Sequence, residues 1–333
     1  MVKYKGILVI GELEDKTISR ATRESLKIGR KLADELGEEL CALLLGNELG
    51  DIGKKTITFG ADKVYIVDHP LLGEYYSDVY VEVITKACQP LNPFILLLGQ
   101  TSFGYDLAPR LAFRLGGQLS TSCTGLNIDP ESKLLMQTRP VYGGNANAVM
   151  VTKGIYPQIV TIRPRSVPAA EPDEARQGEV ISLDMQIDES AKRYKIIERV
   201  KEEAAGIKLE DAEVVVGGGR GIGDEKGFGL LWELADLLGG TVGASMPPCK
   251  FGWISPYLEI GQTGKIIAPD LYIVVAISGA PQHITGCLGA KNMIAVNRDP
   301  EANIFKVADY GVVGDYKKAL PAFIEKVKEL RQK

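Results

Sequence analysis

Short apolar runs alternate with amphipathic stretches along the first third of the chain. Residues 7–10, 40–45, 64–67 and 94–98 are apolar throughout and read as buried strands. Between the first two, residues 19–36 carry Ala21, Leu26, Ile28, Leu32 and Leu36 at helical spacing among Arg, Lys and Glu, and Gly37 supplies a stop. Amphipathic stretches at about 76–88 and 105–115 predict two more helices, the second after the turn Gly99-Gln100-Thr101-Ser102. Strands without a polar face, separated by such helices, imply a parallel sheet covered on both sides.

The pattern turns to β across about 134–163, with Tyr142-Gly143-Gly144-Asn145 as a turn between strands. Pro164, Pro168 and Glu171-Pro172-Asp173-Glu174 then open a charged stretch without apolar periodicity, which reads as a linker or wrapping arm over about 164–205. The expected domains are therefore 1–205 and 206–333. In the second, strands at 213–216, 271–277, 293–296 and 310–313 alternate with helices at 228–238, after Ser278-Gly279-Ala280, and at 316–330. The fold class is α/β in both halves, the second a doubly wound parallel sheet. No internal repeat is visible.

Composition changes this picture mainly by exclusion. The net charge of −4 comes from 39 basic and 43 acidic residues without blocks of either sign, giving no reason to expect nucleic acid or an anionic membrane as partner. No apolar run approaches the roughly 18 residues of a membrane helix, so no membrane insertion is expected. The chain passes from Lys3 and Lys5 straight into a strand-like segment, and a cytoplasmic location is expected. Cys41, Cys88, Cys123, Cys249 and Cys287 are widely spaced with no CxxC pair, which favours reduced thiols over a zinc or iron–sulfur site. Only His69 and His283 are available, so metalloenzyme and Ser-His-Asp chemistry are disfavoured, and neither a metal site nor a catalytic residue is expected.

Candidate chemistry lies in the second half. Gly217-Gly218-Gly219-Arg220-Gly221-Ile222-Gly223 follows a strand, where a doubly wound sheet turns backbone N–H groups toward a phosphate. Neither available spacing completes G-x-G-x-x-G, and no Gly-Lys pair fits a P-loop. A structural turn and a ligand loop fit it equally, although Arg220 inside it is suited to clamping a pyrophosphate. Gly261-Gln262-Thr263-Gly264-Lys265 offers an amide and a hydroxyl for the edge of a heteroaromatic ring. Ser278-Gly279-Ala280-Pro281-Gln282-His283 begins at the carboxyl end of an apolar strand, where open α/β sheets bind ligands. For His283 the structural and functional readings stay open.

These segments, with Val242-Gly243-Ala244-Ser245, Ala268-Pro269-Asp270-Leu271-Tyr272, Ala295-Val296-Asn297-Arg298-Asp299-Pro300 and Val307-Ala308-Asp309-Tyr310-Gly311, resemble the electron-transfer flavoprotein alpha subunit nearly without a gap over about 210–316. The N-terminal half resembles the same family more loosely, through a nucleotide-hydrolase-like α/β domain. The resemblance implies FAD as cofactor, bound by Arg220, Ser245, Ile260, Gly261, Gln262, Thr263, Ser278, Gly279, Ala280, Pro281, Gln282, His283, Asn297, Asp315 and Tyr316. Arg220 would meet the phosphates or ring. Thr263 would offer its hydroxyl near N5, with Gln262 beside it. His283 would face the pyrimidine end, where negative charge collects as the flavin takes up an electron. Asn297 and Asp315 would hold the adenosine half, and residues 278–282 would line the phosphate and ribityl region.

One position departs from the family: Met246 follows Ser245 where the family commonly carries Arg, with Lys250 as a candidate replacement cation. The implied protein is an electron carrier rather than a substrate-transforming enzyme. It would form an obligate heterodimer with a beta subunit and work between flavin dehydrogenases, such as acyl-CoA dehydrogenases, and a reductase or quinone reductase. One alternative is a subunit of an electron-bifurcating flavoprotein coupling NADH, ferredoxin and an enoyl-CoA-type reductase. From other classes come an NAD(P)-dependent oxidoreductase and an adenine-nucleotide-binding regulator.

Overall fold

The computed structural model describes residues 4–14, 16–144, 146–198 and 207–331. Asn145 of the expected turn and residues 199–205 of the expected arm lie outside these. The chain divides into two compact units: Met1–Val141 with Asn147–Arg199, and Tyr142–Ala146 with Val200–Lys333.

The first unit is built on a seven-stranded sheet. Its strands are β1 (Lys5–Gly11), β2 (Leu40–Gly46), β3 (Lys63–Asp68), β4 (Pro93–Gly99), β5 (Gln118–Cys123), β6 (Gln158–Ile162) and β7 (Glu179–Ser182), in the order β7-β3-β2-β1-β4-β6-β5. All neighbours run parallel. Successive residues of β1 serve opposite faces: Ile7 and Val9 join Leu26, Leu32 and Ile52 in one core, while Leu8 and Ile10 join Val79, Ile84 and Leu107 in the other. Helices α1 (Arg20–Leu36) and α2 (Ile52–Thr58) therefore cover one side, and α3 (Ser77–Leu91) and α4 (Ser102–Leu115) the other. The start of α1 is fixed by Ser19, whose hydroxyl accepts from the Thr22 N–H, and its end by Gly37 at φ 67°.

Two departures from the sequence expectation have physical causes. β5 has no apolar pattern because its polar side chains pair within the fold: Ser120 Oγ lies against Gln137, Gln118 Nε2 donates to Ser120 at 2.8 Å, and the Ser122 N–H donates to Thr161 at 3.0 Å. The charged arm supplies the edge strand β7, paired with β3 from Glu179↔Lys63 to Ser182↔Ile66. Asp62 holds the chain just before it, accepting from Arg30 and Arg176 at 2.7 Å each and from the Leu40 N–H at 2.8 Å. Burial raises the Asp62 pKa, but these bonds outweigh it and leave the carboxyl below its usual value.

The second unit carries β8 (Val214–Gly218), β9 (Thr241–Ala244), β10 (Leu271–Val275), β11 (Met293–Asn297) and β12 (Tyr310–Val313), all parallel, in the order β9-β8-β10-β11-β12. The order reverses between β8 and β10. On one face α5 (Phe228–Leu238) and α8 (Tyr316–Arg331) contribute Phe228, Leu231, Leu234, Leu320 and Ile324 to the core. On the other, Leu209, Ile260, Ile267, Cys287 and Ile304 pack against Tyr272 and Val274. The unit is thus doubly wound. Short α6 (Met246–Lys250) and α7 (Pro281–Cys287) start just beyond the carboxyl ends of β9 and β10.

Among the described residues no helix is long and apolar enough to cross a membrane, and no cluster of His, Cys, Asp or Glu is placed to hold a metal ion. The five cysteines form no disulfide, and burial pushes the Cys88 thiol up to about 12 and Cys123 to about 11.

Candidate functional site

The carboxyl edge of the second sheet gathers the predicted residues. Because β8 and β10 are neighbours, the loop after β8 lies directly on the loop after β10: the Gly219 N–H donates to Val275 O at 2.9 Å, and Gly221 N–H to Ala276 O at 3.4 Å. A Cβ on Gly219 would lie 2.1 Å from the Ala276 carbonyl oxygen, so only glycine allows this approach. The glycine run leads into a single 3-10 turn at Arg220–Ile222, and α5 begins only at Phe228. This arrangement differs from a dinucleotide fingerprint, in which the helix follows the turn at once.

Main-chain hydrogen bonds stitch the remaining loops together. The Ser245 N–H donates to Gly218 O at 3.1 Å, Ile260 N–H to Ala244 O at 2.7 Å, and Gln262 N–H to Gln282 O at 2.8 Å. Ile304 N–H donates to Ser278 O at 3.1 Å and Gly314 N–H to Asn297 O at 2.9 Å. Gly279, at φ 80°, turns the chain into α7, and a Cβ there would meet the backbone of Ile304.

Within this frame the predicted residues separate into two groups. Arg220, Gln262, Thr263, Ser278, Ala280, Pro281, Gln282 and Asp315 are exposed along the edge. Thr263 Oγ1 donates to Glu259 at 2.7 Å, and Asp315 accepts from the Lys317 N–H at 2.9 Å at the start of α8. Ser245, Ile260, Gly261, Gly279, His283, Asn297 and Tyr316 are buried. Asn297 donates from Nδ2 to Ile277 O at 2.9 Å and accepts the Asp299 N–H at 3.0 Å. The Tyr316 hydroxyl donates to Ile222 O at 2.7 Å, tying α8 to the glycine loop. Replacing Tyr316 with Phe leaves that buried carbonyl unpaired. Urea unfolding of the variant should show a loss of about 1 kcal/mol, and an unchanged midpoint would mean that water replaces the hydroxyl without cost.

His283 is 5% exposed, with Nε2 at 3.0 Å from the Tyr272 hydroxyl and Nδ1 at 2.9 Å from Ile260 O. Burial lowers its pKa to about 4, partly opposed by the bond to Ile260. Both ring nitrogens are therefore engaged by protein groups. Tyr272 carried no signal of its own in the sequence, being one aromatic residue in an apolar strand. Met246 stands at the first turn of α6, and Lys250, four residues on, is exposed. A separate concavity of about 820 Å³ lies in the first unit, lined by Lys5, Glu39, Cys41 and Lys63 at the amino ends of β1, β2 and β3. That is the edge away from which open α/β sheets bind ligands.

The exposed set supplies a guanidinium, two amides, two hydroxyls and a carboxylate along one edge at the strand-order reversal. A flavin dinucleotide needs these groups for its diphosphate, ring edge and ribose, so the residues present fit it.

Comparison with known proteins gives matches over both units. The electron transfer flavoprotein domain model matches residues 7–187, and the electron transfer flavoprotein FAD-binding domain model matches residues 208–288. Asn297, Asp315 and Tyr316 lie beyond the second match. The electron transfer flavoprotein subunit alpha of Thermoanaerobacterium thermosaccharolyticum is 44% identical over 99% of this chain and 100% of its own length. That of Megasphaera elsdenii is 40% identical over 99% of this chain and 98% of its own. The acryloyl-CoA reductase electron transfer subunit beta of Anaerotignum propionicum is 35% identical over 98% and 96%.

Proposed function

This chain belongs to the electron transfer flavoprotein alpha-subunit family, and we propose that it accepts electrons from flavin dehydrogenases of the acyl-CoA dehydrogenase type and delivers them to a reductase or quinone reductase in the cytoplasm. It is an electron carrier that holds FAD in its C-terminal unit and pairs with a beta subunit. The observation that supports the assignment of the site is the row of exposed polar side chains on loops tied by main-chain bonds at the β8/β10 reversal.

Bound FAD supplies one- and two-electron transfer through its ring. The chain's own residues bind and orient it. Arg220, on a loop fixed by the close approach of Gly219 to Ala276, would neutralise the diphosphate. Gln262 and Thr263 would present an amide and a hydroxyl to the ring edge, while Ser278 and Gln282 would line the ribityl region. Asp315 would accept from a ribose. His283, its ring nitrogens already engaged, would contribute by fixing the loops rather than by carrying charge.

The test is the visible spectrum of the full chain co-expressed with its beta subunit. A yellow heterodimer is expected, and Arg220→Ala should weaken FAD binding by roughly tenfold or more, the loss of one charge-assisted contact. A colourless wild-type preparation would overturn the assignment.

A second reading, membership of an electron-bifurcating complex, is favoured by Met246 in place of the family arginine and by the acryloyl-CoA reductase relative. NADH-dependent reduction of ferredoxin by the reconstituted complex, present or absent, decides between the two.

A further inference from the structure

A buried relay runs behind the exposed edge. Tyr272, in β10, is 0% exposed, and its hydroxyl lies 3.0 Å from His283 Nε2. On the far side of the imidazole, Nδ1 lies 2.9 Å from the Ile260 carbonyl oxygen. A carbonyl can only accept, so Nδ1 carries the proton. A neutral imidazole has a single N–H, so Nε2 accepts and the Tyr272 hydroxyl donates. The direction of every bond in the relay is thereby set.

The surroundings leave room for this arrangement on both sides. A Cβ on Gly217 would lie 2.3 Å from the Tyr272 hydroxyl oxygen, so glycine at that point of β8 opens the space the hydroxyl occupies. A Cβ on Gly286 would lie 2.5 Å from the Gly261 nitrogen, so the loop after Ile260 rests directly on α7, the helix that carries His283. Ile260 itself is anchored on its other side by its N–H bond to Ala244.

We propose that Tyr272 and His283 are positioning residues of the FAD site: the Tyr272 hydroxyl, donating to Nε2, steadies the Nδ1–H imidazole of His283, which holds the Ile260 carbonyl and with it the Gly261-Gln262-Thr263 segment. The inference rests on the FAD assignment above. It makes His283 an uncharged tie between the sheet core and the ring-facing loop.

The other histidine provides an internal reference. His69 Nδ1 accepts the Leu71 N–H at 3.1 Å, so its own proton sits on Nε2. The two histidines of this chain therefore carry opposite tautomers, which ring-nitrogen NMR of the full, histidine-labelled chain reads directly. In Tyr272→Phe, the His283 Nε2 resonance should shift as it loses its hydrogen-bond donor while the His69 resonances stay in place, and the FAD dissociation constant should rise about tenfold. An unchanged His283 Nε2 resonance overturns the relay, and a shifted resonance with unchanged FAD affinity overturns its role in positioning the loop.

Should Tyr272→Phe fail to fold, His283→Asn and His283→Leu carry the test. The asparagine amide retains a donor for Ile260 and should keep most of the FAD affinity, whereas leucine offers none; equal affinities overturn the proposal. A wild type that shows both tautomers but binds no FAD sinks the cofactor assignment and not the relay. A yellow wild type with identical tautomers does the reverse.

Discussion

Replacing Gly279 with alanine is expected to destabilise the C-terminal unit by about 3 to 5 kcal/mol, with loss of FAD from the purified heterodimer. Two penalties combine at this position. The backbone sits at φ 80°, where an L side chain is strained. In addition, a Cβ would lie 2.3 Å from the Ile304 nitrogen and 2.6 Å from its Cα, atoms that cannot swing aside as a side chain could. Relief requires the Ser278–Ile304 bond to lengthen, and that bond ties the turn after β10 to the segment after β11. Gly229→Ala is the matched control. It lies inside α5 with open space around its Cβ position, and alanine there should stabilise by up to about 1 kcal/mol. Chemical unfolding of both variants alongside measurement of bound flavin makes the comparison. A Gly279→Ala protein as stable and as yellow as the parent would show that the turn is free to open.

Acidification should weaken the same unit, and the direction follows from His283. Its folded pKa of about 4 lies below the ordinary 6.5 because burial disfavours the imidazolium. Between those values the unfolded chain binds a proton that the folded chain refuses. The stabilisation is therefore complete above about pH 6.5, shrinks as the pH falls toward 4, and is gone below it. A difference of this size is worth about 3 kcal/mol over the full window. Burial also raises the pKa of Glu24, in the other unit. Fluorescence separates the two units, because the only tryptophans, Trp232 and Trp253, both belong to the second. Unfolding followed by tryptophan emission from pH 7 to 4 should show the slope, and His283→Asn should flatten it. An unaltered slope in that variant would assign the acid sensitivity elsewhere.

How far the sequence disclosed this molecule depends on which atoms carry each feature. Ile7 to Ile10 announce a buried strand because each of them lands in one of two cores. β5 and β9 escaped the same reading, the first because Ser120 and Gln118 satisfy one another inside the fold, the second because Thr241–Ala244 is short and contains glycine. The arm around 164–205 reads as charge and proline, yet Glu179–Ser182 adds an edge strand through backbone pairing that needs no apolar side chain. At the site, the glycine run and Arg220 lie on the loop that follows β8 at the reversal of strand order. The setting of His283 stayed hidden because one of its partners is a backbone carbonyl and the other, Tyr272, looks like any core aromatic. Likewise nothing in the sequence connects Tyr316 to the Ile222 carbonyl.

The loops at the carboxyl edge are held chiefly by amide-to-carbonyl bonds, from Ser245 to Gly218 through to Gly314 and Asn297. Away from Gly219 and Gly279, where a Cβ would strike backbone, any residue other than proline can make such bonds. Exposed side chains such as Arg220 and Gln262 can therefore change without redrawing the ledge, whereas the buried His283 and Tyr316 cannot. Form and displayed chemistry are uncoupled at those exposed positions.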